Sequence, residues 1–384
     1  MTQGHSVSAE NSRGLRVEKL EFHRFRNYED LVLEGIGGLT VLIGRNAVGK
    51  TNILEGLQLL TSASSFRHPP VSQLICNTYQ QARISLKAGD GNRELEVALS
   101  LEAGKKRYAV NGKGRSGADV RGILPSVMFT PDDLQIVKRS SAVKRSALDD
   151  LGMQLTRSYY VVRKDYEKTL RYKNRLLKEE ASALLLESIN ETLVMCGAQL
   201  FCLRTALFER MLPALAAAYE RISNGEEEFS AAYRPSWNRV SGSEDTTYPS
   251  SRDDVREEMS RQLSIWFEEE RKRGRCLVGP HNDEIAFMLS RRDAAAYASQ
   301  GQQRSVVLAW KLAEVEMVRQ ILGVQPVLLL DDVLSELDDV RREMLVRFVT
   351  DDIQTFITAT DLDGFSSSFV NRAHVVSLPL QIGS

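Results

Sequence analysis

Cysteine is scarce in this 384-residue chain, and Cys76, Cys196, Cys202 and Cys276 include no C-x-x-C pair. That spacing argues against a zinc knuckle and a disulfide framework, leaving buried free thiols. Long apolar runs are also missing. No uninterrupted stretch approaches the ~18 residues that span a bilayer, and the polar start MTQGHSVSAENSRG lacks the apolar centre of a secretion signal. A cytoplasmic protein with no membrane partner is therefore expected. Neither sign of charge dominates: Lys and Arg number 50, Asp and Glu 51, and the net charge is −1. Any nucleic-acid binding must come from a local basic surface. No internal repeat is visible. What remains is 42% hydrophobic and 26% charged, an ordinary globular composition long enough for about two domains.

The stretch LTVLIGRNAVGKTNILEGLQLL runs from a β-branched apolar segment, Leu39 to Ile43, into a helical pattern. Between them stand Gly44, Arg45, Asn46, Ala47, Val48, Gly49, Lys50 and Thr51, followed by Asn52. This is G-x-x-x-x-G-K-[ST] in the strand, loop and helix setting the motif requires. Such glycines let successive N–H groups turn inward around phosphates, and the new helix adds its positive end. Lys50 is expected to reach the β- and γ-phosphates of ATP, and the Thr51 hydroxyl to ligate Mg²⁺.

A second apolar run, Val327 to Leu330, ends in Asp331 and Asp332. Unbroken apolar character marks a strand covered on both faces, and functional groups in parallel sheets sit at the carboxyl ends of strands. Asp331 is placed to hold the Mg²⁺ shell and Asp332 to orient or deprotonate the attacking water. An ordinary loop or helix cap is the alternative. Further upstream, YASQGQQRSVVLAWKLAE puts Ser299, Gln300, Gly301, Gln302 and Gln303 before an apolar helical run. Ser299 and Gln302 fit a capping box, and a buried helix beginning near Gly301 accounts for most of the pattern.

Taken in order, the phosphate loop, SQGQQ, the strand ending in Asp-Asp and SELD from Ser335 to Asp338 resemble the ATP-binding-cassette ATPases. Closer still, the chain is similar to the RecF family of bacterial recombination mediators, through FRNYEDL, GRNAVGKTNILE, SSFR, MFTPDDLQIVK, YRPSW, LVGPHND and LLLDDVLSELD. The resemblance implies an α/β fold: an ABC-type P-loop ATPase head, with a parallel core sheet and an antiparallel subdomain, carrying an inserted helical arm. It implies that ATP joins two copies, the signature Ser299 to Gln303 and the D-loop residues Ser335 and Asp338 facing the partner's nucleotide. Arg26 and Asn27 become further ATP candidates. The implied role is a slow, DNA-dependent ATPase that binds gapped DNA or single-strand/double-strand junctions, works with RecR and RecO to place RecA, and is linked to the SOS response. Some positions depart from the pattern. Gln300 stands where many cassette ATPases have glycine, and Thr360 where transporters commonly have a histidine. Asp332 stands where most have glutamate, one methylene longer; the shorter carboxylate holds the water less well, so slow turnover is expected. Asn282 and the stretch after Lys138 also diverge, and no role is carried onto them.

The expected organisation is a polar tail, 1–14; a head from 15–153 and 276–384; and an arm, 154–275. RVEKLEF, ARISLKA, ELEVALSL and KRYAVNG read as strands, the last with an Asn-Gly turn. The arm begins with a basic, tyrosine-rich helix in which Arg163, Lys164, Arg171, Lys173 and Arg175 are candidate DNA contacts. A solvated helix face explains the same run. SWNRVSGSEDTTYPSSRDD reads as a polar loop, and REEMSRQLSIWFEEERKRG as one returning helix. Gln73 is a candidate for a metal- and water-linked glutamine, and His281, a lone histidine near a turn, reads as structural. Rival readings are a transporter ATPase subunit, a DNA motor or nuclease, and a nucleotide-binding scaffold without DNA contact.

Overall fold

The structure is a computed structural model that describes residues 14–240, 247–249, 251–349, 352–362 and 365–379. Residues 1–13 of the polar tail and 241–246 of the polar loop lie outside the described residues.

Five parallel strands form the central sheet, in the order His374–Ser377, Leu39–Ile43, Thr355–Ala359, Val327–Asp331 and Ser126–Phe129. Apolar residues fill both faces, as the unbroken runs predict. Leu42, Met128, Leu329 and Phe356 point to a core shared with the helix Lys50–Ser62 and a six-stranded antiparallel sheet. Val41, Phe129, Leu330 and Ile357 point to the other core, shared with the helices. Register sets the site: Asp331 lies beside Thr358, and Thr358 beside Leu42, two residues before Gly44. The antiparallel sheet contains four strands legible in the sequence, and Asn111 and Gly112, both at positive φ, turn Lys105–Val110 into Lys113–Arg115.

The helix Arg157–Lys178 packs on the 41-residue helix Ala183–Ser223 as a hairpin. By length and composition the longer helix could cross a membrane. More than half of its most apolar stretch is buried, against Arg157–Lys178, Arg252–Ile265 and Gln300–Leu322, so it serves as a core helix. Two sequence readings are corrected here. Ser236–Val240 of the polar loop is a short helix, and the returning helix is two, Arg252–Ile265 and Phe267–Arg273, parted at Trp266.

The YRPSW and GPHND stretches meet in one buried polar network. Arg204, 1% exposed, donates to both oxygens of Asp149 at 2.9 Å and to the Pro280 carbonyl at 2.6 Å. The Tyr233 hydroxyl donates to Asp283, which also accepts the Ser236 N–H at 2.7 Å. Burial pushes the Asp149 carboxyl upward, but the charges of Arg204 and Arg163 hold it below the usual range. His281, driven down to about 4 by burial, bonds the Tyr166 hydroxyl at 2.6 Å, a structural position.

Candidate nucleotide site

The phosphate loop needs glycine at both ends for steric reasons. Gly49 has φ +115°, and a β-carbon there would lie 2.6 Å from the Asn27 amide nitrogen. One on Gly44 would lie 2.6 Å from the Leu378 carbonyl oxygen. Asn27 braces the turn by donating to the Val48 carbonyl at 3.0 Å and accepting from Asn52 at 2.7 Å. The loop ends at the N-terminus of Lys50–Ser62, where free N–H groups and the helix dipole favour an anion. Lys50, 7% exposed, folds over the loop and donates to the Gly44 and Arg45 carbonyls. Its partners are backbone oxygens, leaving its charge available to phosphate.

Thr51, the next residue, donates to Asp331 at 2.8 Å across 280 residues of sequence, and Thr358 donates to the same carboxylate oxygen at 2.9 Å. Burial raises the Asp331 pKa, with the two hydroxyl bonds opposing it. A hydroxyl and a buried carboxylate converging beside a phosphate cradle are hard oxygen donors, which fit Mg²⁺. A divalent cation would also offset the burial that now disfavours the Asp331 charge. Asp332 follows in a left-handed conformation, φ 51°. That breaks the strand's alternation, so Asp332 lines the same cleft as Thr51. The Thr358 hydroxyl accepts the Asp332 N–H at 2.8 Å, and Ser335 donates to the Asp332 carbonyl at 2.7 Å. The cleft measures about 220 Å³ and is lined by the loop, Arg67, Asp332 and Thr358.

None of Ser299 to Gln303 lines this cleft. Ser299 caps Gln300–Leu322 with the expected capping box, its oxygen accepting from the Gln302 N–H at 3.2 Å. Ser299 and Gln300 are exposed, whereas Gln303 is buried and donates to the Ala298 carbonyl. Asp338 caps Asp339–Phe348 and pairs with Arg341, whose guanidinium stands beside Gly301 and donates to Ser305 at 2.8 Å. Arg341 thus ties Asp338 to the start of the helix Gln300–Leu322. A larger cleft of about 440 Å³, lined by Arg121, Asp150, Lys311 and Glu314, holds no phosphate-loop residue, and Lys311 is paired there with Asp133 and Glu314 at 3.3 Å.

A family model described as RecF/RecN/SMC N terminal domain matches residues 16–376. The DNA replication and repair protein RecF of Symbiobacterium thermophilum is 36% identical over 351 residues, 90% of this chain and 92% of that protein. The chain belongs to the RecF family. A solved structure described as the recombination mediator protein RecF-ATPrS in the RecFOR pathway superposes with a TM-score of 0.84 at 28% identity, covering 93% of this chain and 96% of that one. An Smc head domain derived from Pyrococcus furiosus superposes at 0.51 with 16% identity, covering 94% and 93%, a likeness of fold alone. The α/β head with parallel and antiparallel sheets is thus the RecF-family fold, as its motifs imply.

Other candidates of this RecF-family chain fall elsewhere. Arg26 is engaged by Glu55, a fully buried carboxylate, through bonds of 2.9 and 2.8 Å. Gln73 does not line the cleft, and Thr360, at a strand end, bonds Asp361 instead. Two proposed DNA contacts need correction. Lys173 is 1% exposed and pairs with Glu270 at 2.5 Å, and Arg163 is held by Asp149 and Glu167 at 2.7 Å each. Lys164, Arg171 and Arg175 are exposed. Sequence reasoning missed Arg67 and Thr358 as cleft residues. Thr358 carried a signal, being the hydroxyl that breaks the apolar core of TFITA. Arg67 bonds Asn52 at 2.8 Å, a contact no spacing rule reveals.

Proposed function

We propose that this RecF-family chain is an ATP-switched DNA clamp, a slow DNA-dependent ATPase of recombinational repair in the cytoplasm. The observation that carries the reading is the separation of two half-sites. The cleft lined by Lys50, Thr51 and Asp332 lacks the signature, and Ser299 and Gln300 are exposed and line no part of it. A second copy supplies what the first lacks. Contacts made by ATP only in the closed pair convert its binding energy into closure.

In this account 15–153 and 276–384 form the head and 154–275 the arm. The Gly44–Thr51 loop and Lys50 hold the phosphates, with Arg67 adding charge at the cleft wall. Thr51 and Asp331 hold Mg²⁺, which supplies charge neutralisation when bound. Asp332 accepts the proton of the attacking water and Thr358 fixes its backbone. Ser299, Gly301, Ser335 and Asp338 face the partner's nucleotide. The relatives' names, DNA replication and repair protein RecF and recombination mediator in the RecFOR pathway, support a place in that pathway; the finer steps follow from the family resemblance. The closed pair binds gapped or junction DNA, works with RecR and RecO to promote RecA loading, acts within the SOS response, and is reset by hydrolysis.

The test is Asp332→Asn, which keeps size and removes the proton acceptor. ATP-dependent pairing should persist while turnover falls about 10²-fold or more. Unchanged turnover would remove Asp332 from its role. In the same assay Asp332→Glu, one methylene longer, should raise turnover severalfold; complete loss counts against the expectation that the short carboxylate slows the reaction.

A further inference from the structure

The signature is held from behind by a residue outside the nucleotide cleft. The Ser299 N–H is taken by the Gln302 side-chain oxygen at 2.7 Å. The other end of that carboxamide donates to Glu227. Glu227 stands just after the long helix Ala183–Ser223, and its second oxygen accepts the Tyr219 hydroxyl at 2.6 Å. Tyr219 belongs to the last turns of that helix, is 1% exposed and stacks on Phe229 with ring centroids 5.0 Å apart. A continuous chain therefore runs from Tyr219 through Glu227 and Gln302 to Ser299.

Chemistry gives Glu227 a specific task in that chain. A glutamine amide is ambivalent, with a donor at one end and an acceptor at the other, and the two ends have nearly equal shape. An ionised carboxylate only accepts. Facing Glu227, the amide must present its nitrogen there and its oxygen to Ser299. Without it the amide keeps only the Ser299 N–H as an anchor, and its hold on the Ser299 backbone loosens. A cleft of about 260 Å³ lined by Glu227, Tyr297 and Gln302 gives it room to move. On the opposite side, Arg341 stands beside Gly301, so the signature has one fixed wall and one switchable wall.

We propose that Glu227 is a positioning residue that couples the long helix, and through it the paired helix Arg157–Lys178 with its exposed Lys164, Arg171 and Arg175, to the signature, so that duplex DNA held on those cations sets how readily ATP joins two copies. The inference rests on the ATP-joined pair proposed above. The experiment titrates ATP against the sedimentation of the full-length protein, with and without a gapped duplex. In the wild type, DNA should lower the ATP concentration for half-pairing. In Glu227→Ala that DNA effect should shrink about tenfold, with nucleotide affinity of the monomer unchanged. The exchange Glu227→Gln with Gln302→Glu puts the acceptor-only group on the other side of the same bond and should restore the DNA effect to within about twofold, which general loss of packing does not predict. Tyr219→Phe, nearly isosteric, should leave DNA-free pairing intact and weaken the DNA effect, a check that survives if Glu227→Ala folds poorly. A Tyr219→Phe or Glu227→Ala protein responding to DNA like the wild type overturns the coupling and leaves the ATP-joined pair standing. A wild type that never pairs with ATP overturns the underlying reading instead.

Discussion

Replacing Arg204 with methionine should be among the most destabilising single changes in the helical region. Methionine keeps much of the volume but leaves Asp149, itself 1% exposed, without its bidentate partner. It also removes the donors to the Pro280 carbonyl and the Tyr233 hydroxyl. Breaking one side of a buried ion pair costs about 3–5 kcal/mol. Taking a urea slope of about 3 kcal/mol/M, the midpoint should fall by roughly 1–1.7 M. The pH dependence has a definite sign. In the wild type, Asp149 is held below its unfolded pKa, so its contribution is present above about pH 3.9 and is lost as pH falls through the lower folded value. In the variant only Arg163 and the Tyr159 hydroxyl still oppose burial, so that pKa rises from its wild-type position. The gap between the two proteins should therefore be widest at neutral pH and narrow towards acid. Urea titrations followed by circular dichroism at neutral and acidic pH measure both effects, and Asp149→Asn in the Arg204→Met background should recover part of the loss. A midpoint shift under about 0.3 M, or a gap that widens in acid, would refute the reasoning.

The exposed basic residues of the helix Arg157–Lys178 carry a separate expectation. Changing Lys164, Arg171 and Arg175 together to alanine should flatten the slope of log affinity for gapped DNA against log salt by about 2–3, near 0.9 for each lost duplex phosphate contact. Lys173→Met should leave that slope unchanged while lowering stability, because its partner is the buried Glu270. An unchanged slope in the triple variant moves the DNA surface elsewhere.

The sequence announces those parts of the fold and site in which local chemistry and tertiary role coincide. Gly49, Lys50 and Thr51 must be contiguous to cradle phosphates, and the short apolar run ending in Asp331 matches the strand covered on both faces that it forms. The Ser299 capping box was equally local. Its bond to Glu227 was invisible, because it joins residues 75 positions apart through side chains with no spacing rule. Basic residues misled for the same reason. Arg163 and Lys173 share a helix with Lys164 and Arg171, and only the opposing Asp149 and Glu270 turn them inward. YRPSW and GPHND gave no physical role until Arg204, on a third segment, brought Tyr233, Pro280 and Asp283 together.

The central claim is that ATP joins two copies through exposed signatures. Sedimentation of the wild type and Ser299→Arg with gapped DNA and Mg²⁺, comparing ATP with ADP, tests it most directly. The account predicts a DNA-bound dimer only for the wild type with ATP, with Ser299→Arg still binding nucleotide as a monomer. A normal ATP-dependent dimer of Ser299→Arg, or DNA binding indifferent to nucleotide and mutation, would contradict it.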